Sequence, residues 1–196
     1  MKTLVTVALV LLLAIPVLAQ DPPKMTAQEQ AEMEKWMAAA TPGAPHKLLE
    51  PMVGTFDTKV TFWAAPGAPP QTSEGVSENR WIMGGRYVEE RFKGSMMGME
   101  FEGLGYTGYD NITKKYWGSW VDNMSTGTMT STGTTSDGGK TWTFDATMSD
   151  AMSGKVMKLK QKLNVKSADE HVFEMWGSDK KGKTFKMMEI VYTRKK

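Results

Sequence analysis

Three short runs of the chain set a glutamate among large apolar side chains at every second position. In RYVEERFKG, Val88, Glu90 and Phe92 share one face of an extended strand; in HVFEMWG the set is Val172, Glu174 and Trp176. In TFKMMEIVYTR it is Phe185, Met187, Glu189 and Val191. Side chains two apart point to the same side of a strand, although periodicity gives a face and not its direction. A carboxylate among apolar neighbours is costly unless it is paired or lines a wet cavity. Each of the three is therefore a candidate for a pocket wall. A pair drawn from them could also serve glycoside hydrolysis, but nothing in the sequence sets the separation of the two groups.

Other chemistries find little support. His46 and His171 are the only histidines and there is no cysteine, too few ligands for a zinc site. A Ser-His-Asp triad would have to use one of those two imidazoles, and no G-x-S-x-G elbow presents a serine. The glycines of GLGYTGYD and TGTMTSTG are followed by strands rather than by the helix a phosphate loop needs. In a strand they relieve curvature or let a bulky ring approach. Methionine is frequent, at 17 residues, and Met96, Met97 and Met99 bring three thioethers together, a set that would suit Cu(I) or fill core gaps. No cofactor is called for by these residues.

Most of the seven tryptophans are expected to be core or barrel-mouth packing residues, and some to face a cavity. In GYDNITKKYWGSWVDNM, Tyr109, Asp110, Asn111 and Thr113 form a turn signal. Past the turn, Tyr116, Gly118, Trp120, Asp122 and Met124 share one face. The expected ligand-binding wall is accordingly Trp81, Glu90, Phe92, Trp120, Asp122, Glu174 and Glu189, with Arg194 as a possible counter-charge.

These side chains need a scaffold, and from Gly54 onward the period is that of strands. About ten alternating runs are separated by short turn signals such as SDGGK, SDKKGK and GYDNITKK. In Lys155 to Lys166, Met157, Leu159, Leu163 and Val165 share one side, and Lys158, Lys160 and Lys162 the other. An even meander of this length predicts an all-β, antiparallel up-and-down barrel, which removes exposed edges; a sandwich is the runner-up. Before it, Thr26 and Glu29 have capping-box spacing, and Met33, Trp36 and Met37 recur at helical intervals. Residues 20–45 thus read as a short helix and linker, a lid, brace or free arm, and 46–196 as the barrel. Lys2 and the apolar run Leu4 to Leu18, ending Val17-Leu18-Ala19, read as a signal peptide over residues 1–19. That run is too short for a membrane span. The expected location is secreted or periplasmic. With 24 basic against 22 acidic side chains and no basic groove, nucleic acid is not an expected partner.

The motifs HKLLEPMVGTFD, WIMGGRYVEERFKG, FEGLGYTGYDNITKKYWGSWVDNM, SDGGKTWTF and FEMWGSDKKGKTFKMMEIVYTRKK, in this order from about His46 to the C-terminus, resemble the secreted bacterial domain-of-unknown-function family 1579. The resemblance implies a calycin-type barrel related in shape to lipocalins and nitrobindins, with no established activity. Nitrobindin-like barrels bind haem through a histidine on a late strand. The last strand here has none, so haem would rest on His171. The leading expectation is a non-enzymatic carrier of a small apolar or amphipathic ligand. The alternative is a structural or protein-interaction module whose barrel is filled.

Overall fold

The computed structural model describes residues 25–150 and 153–196, and the expected leader lies outside the described residues. Ten strands follow in order: β1 (Gly54–Phe62), β2 (Gln71–Ile82), β3 (Tyr87–Met96), β4 (Met99–Asp110), β5 (Lys115–Asp122), β6 (Met129–Thr135), β7 (Thr141–Asp150), β8 (Lys155–Val165), β9 (Glu170–Ser178) and β10 (Thr184–Arg194). Each pairs antiparallel with its neighbour in sequence, and β1 closes on β10 from Phe56 opposite Arg194 to Phe62 opposite Met188. The expected up-and-down barrel is the structure, and the sandwich is not.

Alternation makes the wall. On β8, Leu159, Gln161 and Leu163 are buried while Lys158, Lys160 and Lys162 are exposed. Fully burying one such apolar side chain is worth about 1.5–3 kcal/mol, so a one-residue slip would turn a whole row of these contacts into water. The turns are made by their own side chains. Asp137 accepts from the amides of Lys140 and Thr141, and Gly138 and Gly139 take left-handed φ of 68° and 86°. Asp110 accepts from the Ile112 amide and the Thr113 hydroxyl, as the turn signal predicts. The left-handed residue there is Lys114.

One end of the barrel is stoppered. Helix α2 (Ala44–Lys47) and the 3-10 turn Glu50–Met52 drop Leu49 and Met52 into a cluster with Val88, Tyr116, Trp142, Phe144 and Leu163. Polar clamps hold the stopper in place: Tyr116 donates to Pro45 O at 2.9 Å, Asn79 Nδ2 to Met52 O at 2.9 Å, and Trp81 Nε1 to Glu50 Oε2 at 2.8 Å. Helix α1 (Ala27–Ala40) starts with the expected capping box at Thr26 and Glu29 but has no buried residue. Its apolar side chains Met33, Trp36 and Met37 are exposed, and the Asn111 amide caps its last carbonyls, at Ala38, Ala39 and Thr41.

Candidate functional site

The barrel interior divides in two along its axis. Just under the stopper lies a polar bridge. Tyr192 donates to Glu90 Oε1 at 3.1 Å, spanning from β10 to β3. Ser77 Oγ lies 2.8 Å from the same oxygen and 2.7 Å from Asn79 Oδ1. A serine has one proton for those two acceptors, so a protonated Glu90 satisfies the set best. Burial drives the carboxyl in that direction, above the ordinary carboxylate value, against the Ser77 and Tyr192 hydrogen bonds. Burial first, and then the charge of Glu90, hold the Tyr192 phenol well above its ordinary 10, so it stays a donor. Thr58, 4% exposed, sits in the wall between Tyr192 and Gly75, and its Oγ1 is buried without a hydrogen-bond partner. His171 is buried between Phe56 and Tyr192, stacked on the latter at 4.3 Å. Burial, and then the Arg194 charge, lower it to about 4, so it is neutral.

Toward the opposite end the inner face becomes soft and apolar. Met129, Met148, Met157, Met187 and Met188 pack around Ala146, Leu159 and Met175, and Met96 packs against the cluster of Phe56, Phe92 and Phe101. Trp120 lies flat along β4. A Cβ on Gly103 would stand 2.0 Å from its ring, and one on Gly105 would stand 3.0 Å from the ring and 3.6 Å from Glu90 Cβ. These glycines make room for the indole, as their place in a strand predicts, and they set it beside Glu90. Trp120 stacks on Phe101 and donates to Asp122 Oδ2 at 3.0 Å. Glu90, Trp120, Asp122, Phe173 and Met188 all point inward yet are only half-buried.

Of the expected wall, then, Trp81, Glu90, Phe92, Trp120 and Asp122 face the interior, while Trp81 is tied to the stopper. Glu174 and Glu189 do not belong there. Glu174 and Trp176 stand opposite Lys162 and Lys160 on the outer face, and Glu189 pairs with Glu174. A bulge between Lys186 and Met188 inserts one residue and reverses the alternation, so Phe185 and Glu189 cannot share a side. Both glutamates bind Lys186, whose Nζ sits 5.4 Å from the Trp63 ring and 6.0 Å from that of Trp176. Arg194 is also spent. Its guanidinium donates to Val53 O, Pro51 O and Ala168 O and rests on Phe56, pinning the stopper rather than offering a counter-charge. His171 is packed in the wall cluster rather than presented to a pocket, and at the β3–β4 tip Met97 and Met99 are exposed while Met96 turns inward. Neither the haem ligand nor the three-thioether set is assembled.

Sequence reasoning missed Ser77, Asn79 and Tyr192. Alternation in QTSEGVSENRWI does place Ser77, Asn79 and Trp81 on one face, but it gives no sign that the polar pair looks inward. Two grooves indent the outer wall, of about 290 Å³ beside Arg91 and Glu102 and about 680 Å³ beside Lys160 and Trp176. Both are open to solvent.

A closed, ten-stranded up-and-down barrel, stoppered at one end by the segment before its first strand, is the class of protein that these features define. Within it, the chain belongs to DUF1579, a protein family of unknown function, which matches residues 41–194 and so takes in the stopper and every strand. The chain is similar in fold to the crystal structure of Rv2717c from M. tuberculosis, with a TM-score of 0.59 at 13% identity, covering 76% of this chain and 96% of that one. A redesigned β-barrel matches at a TM-score of 0.39 and 16% identity, over 77% of this chain and 95% of that one. No curated protein matches the chain.

Proposed function

We propose that this protein is a secreted or periplasmic carrier, not a catalyst, that takes a small apolar or amphipathic molecule into its barrel. The observation that supports this best is the set of inward-pointing side chains, Glu90, Trp120, Asp122, Phe173 and Met188, that are only half-buried. A pocket with apolar, polarisable walls and a few convergent polar groups is the usual form of a small-molecule site. The methionine-lined half would hold the apolar body and the Ser77–Glu90–Tyr192 bridge the polar end. The carboxylates from which a hydrolytic pair could be drawn favour the carrier reading, because the barrel wall separates Glu90 from Glu174 and Glu189.

Fluorescence titration with ten-carbon alcohols, acids and amines tests the proposal. Saturable quenching that is lost in Trp120→Phe is the expected result. Emission unchanged by every compound would leave the filled-barrel interaction module as the better reading.

A further inference from the structure

We propose that the ligand of this interior is cationic, an amine or quaternary ammonium on a short apolar body. This deepens the carrier reading and rests on it. The first ground is the charge of the inner face. Glu90 and Asp122 point inward, from β3 and β5. Among the described residues the basic side chains on that face are Arg194, whose donors are engaged by Val53, Pro51 and Ala168, and Lys155 at the rim, opposite Asp150. A carboxylate head group at the bridge would therefore meet the Glu90 carboxyl, while Lys155, the described basic side chain of this face that no carbonyl engages, stands at the rim.

The second ground is the shape of the bridge. Both protein donors, Ser77 Oγ and Tyr192 Oη, reach Oε1 of Glu90, which leaves Oε2 for a ligand. Thr58 Oγ1, 4% exposed and without a partner, lies in the wall between Tyr192 and Gly75. The third ground is the ring beside it. Gly105, opposite Glu90 on β4, is bare under the Trp120 ring, and a Cβ there would stand 3.0 Å from that ring and 3.6 Å from Glu90 Cβ; an indole in the same wall as a carboxyl offers an ammonium group a second attraction. Phe101, stacked on Trp120, and Phe92 extend that aromatic surface. Burial pushes the Glu90 carboxyl above the ordinary carboxylate value; a cation beside it would favour the ionised form.

The test uses decyltrimethylammonium, decanol and decanoate, matched in chain length, titrated into the full chain at neutral pH and followed by tryptophan emission and calorimetry. The ammonium compound should bind at least tenfold more tightly than either of the others. Glu90→Gln should weaken the ammonium compound at least tenfold and so remove that preference. Asp122→Asn, at the rim, should weaken the ammonium compound alone and serves if Glu90→Gln does not fold. Decanol or decanoate binding as tightly as the ammonium compound would overturn the cationic assignment and leave the carrier reading standing. Binding of none of the three would overturn both.

Discussion

Replacing His171 by phenylalanine should remove a large part of the acid sensitivity of this barrel. The imidazole is 3% exposed, held between Phe56 and Tyr192, and protonates at about 4 in the folded chain against an ordinary 6.5. The folded value is the lower one, so the unfolded chain takes up a proton that the folded chain refuses. The stability involved is complete above pH 6.5 and declines as the pH falls from there to about 4. At about pH 4 the loss comes to about 3 kcal/mol. Glu90 acts with the opposite sign. Its folded value is raised, so its contribution is present below the ordinary 4.5 and is lost as the pH rises through the folded value. Glu89, lowered chiefly by its hydrogen bond from Arg91, and Asp110, lowered chiefly by the Ile112 amide, add acid losses of their own. Comparison with His171→Phe cancels all three, because the variant keeps a ring in the same slot and changes only the titration. Urea unfolding followed by tryptophan fluorescence at pH 7.5 and at pH 4 measures the difference. Wild type should lose about 3 kcal/mol more than the variant between the two. Losses equal to within about 0.5 kcal/mol, the resolution of such extrapolations, would refute a buried, neutral His171.

Gly103→Ala should cost about 1–3 kcal/mol in urea unfolding and shift the tryptophan emission, since its Cβ would stand 2.0 Å from the Trp120 ring. Asn79→Ala removes the amide that holds Met52 O and the acceptor for Ser77, and should lower stability by about 1–3 kcal/mol in the same assay. Asn111→Ala frees the last carbonyls of α1; proteolysis within residues 27–40 should speed up while barrel stability stays within about 0.5 kcal/mol.

The wall of the barrel was legible because its rule is simple. Where one face is all lysine, as at Lys158, Lys160 and Lys162, alternation gives both the strand and its orientation. Where both faces are apolar it gives only the strand: in HVFEMWG, Phe173 and Met175 compete with Val172 and Trp176, and cross-strand pairing with the β8 lysines decides for the former. The β10 error has a different cause. A bulge is one residue of irregular backbone with no composition of its own, and it reversed the parity between Phe185 and Glu189. Glu90 and Trp120 were legible from their apolar neighbours. Their partners Ser77, Asn79 and Tyr192 were not, because serine and asparagine on a strand read as its wet side until the closed topology brings β10 and β2 against β3. Arg194 was found as a charge near the interior, but its task is set by the stopper carbonyls, which have no signature in side-chain sequence.

The stopper decides what kind of traffic the barrel can support. A tube open at both ends could conduct a molecule from one side to the other. With Leu49 and Met52 seated in the plug-end cluster and clamped by Asn79, Trp81 and Arg194, this one is shut at that end. On the carrier reading proposed above, a ligand would go in polar end first, so that the head reached the bridge beneath the stopper while the tail stayed among the methionines. It would leave by the same rim, tail first. Loading and delivery would then be the same movement run in opposite directions, and the side that met a donor would be the side that met an acceptor.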